Sequence, residues 1–169
     1  MTWRGVASAA AALSTLALAG CGGMFDFGSV LFGTSSKLEQ LNVTEPSGTP
    51  FQEAQFKDYA FLARSFGPAP SEAADAIAEL YADKALAAAH GADVTPEEPR
   101  TPEQQDAHAR LDRALATGRR QAPADAARAQ ADYDCWIVDS AFPRSSDQCR
   151  SSLDVTLAQL ESDVGVPGY

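Results

Sequence analysis

The sequence predicts an all-α fold, a small bundle of about five helices. Alanine is abundant, and Asp, Glu, Gln and Arg stand between the apolar positions, whereas the alternating Val, Ile and Thr pattern of strands is scarce. Two Thr-Pro-x-Gln sequences, at 49–52 and 101–104, are typical of helix starts. In each, Thr is the cap, Pro the first helical residue and Gln the other half of a capping box.

Start and stop signals divide the chain after residue 48 into five predicted helices. A polar cap or a proline marks each start, and glycine marks most of the ends. The third helix is only weakly hydrophobic, and we expect it at the edge of the bundle. The predicted helices run from Thr49 to about Phe66, from Ser71 to His90, from Thr101 to about Thr117 with Gly118 as its stop, from near Pro123 to Val138, and from near Ser146 onward.

Apolar residues at helical spacing supply the candidate core. In the first helix one stripe of apolar residues faces a single direction, and Phe56 lies off it and is expected to make a second contact. We expect this stripe to be core rather than an aromatic binding face. The candidate core residues are Phe51, Ala54, Tyr59, Leu62 and Phe66, then Ile77, Leu80, Tyr81 and Ala88, then Leu111 and Leu115, and finally Leu153, Leu157 and Leu160.

The N-terminus has the order of a secretory signal peptide. A basic residue, Arg4, precedes the apolar run from Val6 to Ala19, and small residues follow it. The run is too short to span a bilayer, which takes about 20 apolar residues. Two alternatives remain. One is an uncleaved membrane helix, and the other is an ordinary signal peptide in which the following cysteine, Cys21, is not modified.

The residues at the end of this run, Leu18-Ala19-Gly20-Cys21, resemble the lipobox of bacterial lipoproteins. In that family a diacylglyceryl group is joined to the cysteine thiol, and a dedicated peptidase cuts just before it. The resemblance implies cleavage after Gly20, lipidation of Cys21 and attachment to a membrane through the acyl chains. Gly22 stands where an aspartate can retain such lipoproteins at the inner membrane, so an outer-membrane address facing the periplasm is favoured.

These signals divide the chain into three parts. Residues 1–20 are the predicted signal peptide, 21–48 the lipidated N-terminus and a flexible tether, and 49–169 a periplasmic helical domain of single-domain size. Within the second part, the segment from Met24 to Phe32 is too apolar for a solvated linker. We expect it to contact the domain, the membrane interface or a partner, with disorder as the remaining alternative.

Cys135 and Cys149 are the two cysteines left once Cys21 is assigned to the anchor. Because a signal peptide directs the chain to an oxidising compartment, we expect them to form a disulfide. The bond would staple the last two helices, an antiparallel hairpin, near their turn, and closing so short a loop contributes roughly 3 kcal/mol of stability. Tyr133 and Trp136 are expected to cover this disulfide or the hairpin seam. Two buried free thiols are the alternative, and no metal site is predicted, since neither cysteine has a further ligand at the right spacing.

No catalytic constellation is evident in the sequence. His90 and His108 are expected to be capping or solvated side chains. Asp132 and Asp134 are two residues apart, which on a helix directs them about 200° from each other and makes them a poor acid/base pair. We therefore predict a non-catalytic protein without cofactor or metal. The net charge of −10, from 23 acidic and 13 basic residues, argues against nucleic acid as a partner.

Three stretches resemble the N-terminal helical region of OmpA-type outer-membrane lipoproteins. They are KDYAFLARSF at 57–66, YADKAL at 81–86 and ARAQADYDCW at 127–136, followed by Cys149. The resemblance implies an outer-membrane lipoprotein with a periplasmic helical module. In those relatives a C-terminal α/β domain binds peptidoglycan through an Asp and an Arg. We recognise no such domain in the residues up to Tyr169 and carry over no peptidoglycan-binding residue, so direct peptidoglycan binding is not expected.

Two functions from different classes follow from these features. The first is a non-catalytic structural or adaptor lipoprotein that is held at the membrane by its lipid and docks on another envelope protein. The alternative is a periplasmic binding module for a lipid, a glycan fragment or a peptide. An adaptor is expected to expose an apolar patch, whereas a binding module is expected to enclose an apolar cavity with a few polar groups.

Overall fold

A computed structural model describes residues 36–66 and 71–166 of the chain. Over these residues the protein is all helical, as the sequence predicts, with six α-helices, one short 3₁₀ turn and no strand. The helices are α1 (Ser36–Val43), α2 (Pro50–Phe66), α3 (Glu72–Ala89), α4 (Pro102–Gln121), α5 (Pro123–Val138) and α6 (Pro143–Val164), and the 3₁₀ turn Asp139–Ala141 joins α5 to α6.

The predicted features of the N-terminus lie outside the described residues. They are the cleavage residues Leu18, Ala19 and Gly20, the lipidation residue Cys21 and the Met24–Phe32 segment. Their roles therefore stay predictions. None of the helices between residues 36 and 166 that the structure describes is long and apolar enough to cross a membrane.

Three helices begin with the side-chain caps that the sequence predicts. At α2, the Thr49 N–H donates to Gln52 Oε1 at 2.8 Å, and the Gln52 N–H donates to Thr49 Oγ1 at 3.4 Å. Thr101 and Gln104 form the same capping box at α4, and Ser71 Oγ caps α3 by accepting a backbone N–H. These bonds satisfy N–H groups that the first helical turn leaves without an intrahelical partner.

Helix α1 lies within the segment that the sequence predicts as tether. Its Leu41 is only 3% exposed and belongs to the core. Lys37 forms an ion pair with Asp83 of α3 at 2.8 Å, and Arg64 of α2 donates to Asn42 at 3.2 Å. The segment is polar in composition, so its one buried leucine was not recognised in the sequence. That leucine and these side-chain contacts hold the short helix on the bundle.

Helix α4 continues to Gln121, three residues beyond the predicted stop at Gly118. A Cβ at Gly118 would lie 2.8 Å from Leu160 Cδ1 of α6 and 3.4 Å from Ala126 Cβ of α5. The glycine therefore serves close packing of three helices rather than helix termination. Elsewhere α4 packs on α5 and α6 through Leu111 and Leu115 and leaves most of its polar surface exposed.

Helix α6 begins at Pro143, a little before the predicted start near Ser146. Its leucines Leu153, Leu157 and Leu160 are buried, as expected. Helices α5 and α6 pack against each other across the 3₁₀ turn, and the predicted disulfide links Cys135 to Cys149. The antiparallel orientation of this pair stays a prediction.

Two apolar clusters meet at α5, the central helix. The first cluster lies mainly between α1, α2 and α3 and includes Phe56, Tyr59 and Tyr81, and the second lies between α4, α5 and α6. Every residue of α5 from 129 to 137 is buried. A helix buried on all sides must satisfy its polar side chains inside the protein. This requirement brings the carboxylates of α5 into specific contacts.

Candidate functional site

The side chain of Asp134 is completely buried and accepts three hydrogen bonds. Its Oδ2 accepts from the Tyr59 hydroxyl at 2.6 Å and from Lys84 Nζ at 2.7 Å, and its Oδ1 accepts from the Glu97 N–H at 2.7 Å. Burial raises the pKa of Asp134, while the Lys84 ammonium and these hydrogen bonds oppose the rise. One carboxylate of α5 thereby connects α2, α3 and the loop between α3 and α4.

Lys84 is the cation of this network and is mostly buried, with 12% of its side chain exposed. Its Nζ also pairs with the Glu97 carboxylate at 2.7 Å and lies 5.5 Å from the centre of the Tyr59 ring. Two carboxylates thus share one ammonium. The remaining exposed face of Lys84 lines an open depression of about 460 Å³ together with residues 93–98 of the loop.

Two glutamines extend the network along the same loop. Gln130 Nε2 donates to the Val94 carbonyl at 2.8 Å and to the Tyr59 hydroxyl at 3.2 Å, and Gln55 Nε2 donates to the same carbonyl at 3.4 Å. The loop is therefore fastened to the bundle by buried polar side chains of α2, α3 and α5. The arrangement holds the loop against the bundle through direct hydrogen bonds and through one ammonium that is shared by two carboxylates.

Asp139, in the 3₁₀ turn, is the centre of a second buried network. Its Oδ1 accepts from the Tyr81 hydroxyl at 2.9 Å, and its Oδ2 accepts from the Ser145 hydroxyl at 2.5 Å. Burial raises the pKa of Asp139 above its usual value, and the hydrogen bonds from the two hydroxyl groups oppose part of this rise. Through Tyr81 and Ser145 this carboxyl ties α3 to the start of α6.

The disulfide lies beside this second network. Cys135 Sγ is 3.4 Å from Asp139 Oδ2 and is buried, whereas Cys149 is partly exposed. The two sulfur atoms and a carboxylate oxygen of Asp139 lie within 4.8 Å of one another. Zinc and similar metals bind cysteine as the thiolate, so the oxidised pair does not offer them a site. The structure thus supports a structural disulfide at this place.

Asp132 points away from Asp134, as the helical spacing predicts. Its Oδ2 accepts from the hydroxyls of Ser152 at 2.7 Å and Thr156 at 3.1 Å, both on α6, and its Oδ1 lies 3.2 Å from Arg128 Nε. Arg128 also reaches Asp58 at 3.6 Å. Burial, with a smaller effect of the Asp132 charge, raises the pKa of Asp58 to about 6, against the lowering effect of Arg128.

Tyr133 and Trp136, which were predicted to cover the disulfide or the hairpin seam, contact each other edge to face, with their ring centres 6.4 Å apart. Tyr133 packs on α4, where its ring centre is 5.4 Å from that of His108 and its hydroxyl donates to the Gln104 carbonyl at 3.4 Å. Trp136 contacts α6, with the Arg150 guanidinium 5.6 Å from its ring centre. Both aromatic side chains belong to the apolar cluster of α4, α5 and α6, against which Cys149 also packs.

The two histidines have local roles. The His90 N–H donates to the Leu86 carbonyl at 3.1 Å at the end of α3, which agrees with its predicted capping position. His108, besides its contact with Tyr133, lies 3.3 Å from Asp112 one turn along α4. Its partly buried ring differs from the solvated side chain that the sequence suggests.

Comparisons with protein-family models, curated protein sequences and solved structures find no match to this chain.

Sequence reasoning missed the Asp134 network. Gln130, Asp132 and Asp134 follow one another at intervals of two residues on α5, so Asp132 lies about 200° from the other two around the helix. The signal in the sequence is therefore that these polar residues form no single solvated stripe. Lys84 was missed as well, although it stands within the alanine-rich stretch of α3.

Proposed function

We propose that the protein is a lipid-anchored adaptor of the bacterial outer membrane. In this proposal Cys21 holds the chain at the periplasmic face of the membrane, and the helical domain docks on another envelope protein. The observation that carries the proposal is the sequence Leu18-Ala19-Gly20-Cys21 at the end of a short apolar run. The Cys135–Cys149 disulfide supports it, because disulfides persist in oxidising compartments such as the periplasm.

The docking surface that we favour is a groove lined by α2, α5 and α6. Phe61, 58% exposed, stands at this groove next to Leu62 and Phe66, which are partly buried. The groove has a volume of about 340 Å³ and also has polar residues on its walls, among them Arg128 and Ser152. An exposed aromatic side chain within a polar rim is typical of the residues that carry binding energy in protein interfaces.

One experiment tests both the lipid anchor at Cys21 and docking through the groove at Phe61. A photo-crosslinking amino acid at Phe61 in intact cells is expected to form an adduct with one recurrent envelope protein. The matched control places it at Ala116, an exposed residue of α4, where that adduct should be missing. A Cys21→Ala variant is expected to lose acylation and the adduct together. Equal adducts at both positions, or an adduct at neither, would rule out docking through the groove.

A binding module remains the second candidate, since one cleft of the domain has cationic side chains that form no ion pair with any residue the structure describes. This cleft lies where α2 and α5 begin and α4 ends. It opens to solvent, unlike the enclosed cavity expected for a lipid chain. A ligand held there would keep part of its surface in contact with water.

A further inference from the structure

A cleft of about 440 Å³ lies among the first residues of α2, the last residues of α4 and the first residue of α5. One wall is apolar and is formed by Pro50, Phe51 and Pro123. The charged side chains at the cleft are those of Arg119, Arg120 and Asp93, and Thr49 and Gln52 complete the lining. The cleft thus combines an apolar wall with a surplus of positive charge in a chain whose net charge is −10.

The Arg119 side chain is held in place at this cleft. Its guanidinium carbon lies 5.1 Å from the centre of the Phe51 ring, a cation–π distance. Its Nε is buried and donates no hydrogen bond within the part of the chain that the structure describes. A guanidinium that is stacked in this way loses less conformational entropy when it binds an anion than a freely rotating one.

Among the residues that the structure describes, neither arginine at the cleft forms an ion pair, although the Asp93 carboxylate lines the same cleft. The cations that line three other depressions of the surface are ion-paired: Lys84 with Asp134 and Glu97, Arg110 with Glu161, Arg128 with Asp132, and Arg150 with Glu103. Arg119 and Arg120 have no ion pair within residues 36–66 and 71–166. In a chain with 23 acidic and 13 basic residues, this pairing pattern leaves the two arginines available to an external anion.

The start of α5 adds backbone N–H groups at the same place, and the exposed carboxylate of Asp125 in its first turn opposes their positive potential. Ala122 occupies its cap position and provides no side-chain acceptor, in contrast to the capped starts of α2, α3 and α4. The first N–H groups of an uncapped helix and the positive end of its dipole favour a bound anion. Pro123, the first residue of α5, forms part of the cleft wall.

We propose that this cleft binds a phosphate group through Arg119 and Arg120. Two guanidinium groups offer more donors than one carboxylate can accept in planar pairs, whereas a phosphate has enough oxygens for both. The apolar wall beside them suits the organic part of a phosphate ester. The phosphate belongs either to a soluble ester or to a phospholipid headgroup. This site goes beyond the docking function proposed above and does not depend on it.

The test uses the full chain in a non-ionic detergent and the NMR signals of the arginine side chains and of residues 119–125. Inorganic phosphate and glycerol 3-phosphate are the soluble probes, and phosphatidylglycerol mixed into the detergent micelles is the lipid probe, with phosphatidylcholine for comparison. Saturable shifts with the soluble probes alone would assign a soluble ester. Shifts that require phosphatidylglycerol would assign a headgroup. The absence of saturable shifts with all of these probes would overturn the proposal.

Three variants make the assignment specific. Arg119→Gln and Arg120→Gln are each expected to weaken binding about tenfold or more, as expected for loss of a charge-assisted contact. Asp93→Asn is expected to tighten binding, because it removes the negative charge at the cleft. The control is Arg113→Gln, an exposed arginine of the same helix outside the cleft, which should bind like the unaltered chain. Equal affinity of all four variants would contradict a site at these arginines, and circular dichroism of each variant checks its fold.

Discussion

The hydroxyl of Tyr59 donates a 2.6 Å hydrogen bond to Oδ2 of Asp134, although the two residues are 75 positions apart in the chain. Both side chains are completely buried. The bond joins α2 to the central helix and belongs to a network that also holds the loop between α3 and α4 through the Glu97 N–H. Buried polar networks of this kind make the position of each helix depend on the others.

Tyr59→Phe is expected to lower the free energy of unfolding by about 1–3 kcal/mol, because Asp134 would lose a donor inside the protein. Urea denaturation of the purified chain measures the change. The control is Tyr133→Phe, since the Tyr133 hydroxyl makes only a longer bond of 3.4 Å to a backbone carbonyl. Equal losses in the two variants would mean that the short bond to Asp134 has no special weight.

Lys84→Met is expected to destabilise the protein by about 3 kcal/mol or more, because it leaves a buried carboxylate without its cation. Adding Asp134→Asn to this variant should recover part of the loss, since the uncompensated charge is then removed. A double-mutant cycle by urea denaturation gives the coupling energy. Strictly additive effects would contradict the ion pair across α3 and α5.

The variant Gly118→Ala tests whether this glycine ends a helix or permits close packing between helices. In an exposed helix this change stabilises by up to about 1 kcal/mol, because alanine has the higher helix propensity. At Gly118 we expect the opposite sign, a loss of about 1–3 kcal/mol, because the new Cβ would meet Leu160 of α6. Thermal unfolding decides the sign, and an increase in Tm would show that the three helices have room at this point.

The raised pKa of Asp58 predicts that the stability of the protein depends on pH. The pKa of this carboxyl is raised to about 6 by burial, above the unfolded value of about 4. The folded state therefore binds the proton more tightly, and the stability that this proton contributes is present at low pH and is lost as pH rises through about 6. Asp58→Asn is expected to raise Tm at pH 7.5 relative to the unaltered chain and to have little effect near pH 4.

The control for this experiment is Asp75→Asn, which changes an exposed carboxylate of α3. This variant should not show the increase in Tm at pH 7.5 that is expected for Asp58→Asn. A Tm difference for Asp58→Asn that stays constant over this range would show that Asp58 titrates equally in the folded and unfolded states.

The features that depend on near neighbours in the chain were predictable from the sequence. The capping boxes at Thr49 and Thr101 join residues three positions apart, so their hydrogen bonds are readable from the letters alone. The all-α class follows in the same way from composition and spacing. The pairing of Cys135 with Cys149 needed only their number and the expected oxidising compartment. The lipidation of Cys21 and the docking on an envelope protein stay predictions from sequence.

The polar and small residues inside the bundle could not be identified without the packing of the helices. Asp134 meets Lys84 and Tyr59 across 50 and 75 positions, and no local pattern encodes a contact over that distance. The packing role of Gly118 depends on Leu160 of another helix, and the docking of α1 depends on Leu41 and Leu38, which pack on a core formed by other helices. Helix starts are set by bonds within one turn, whereas burial is set by how whole helices pack together.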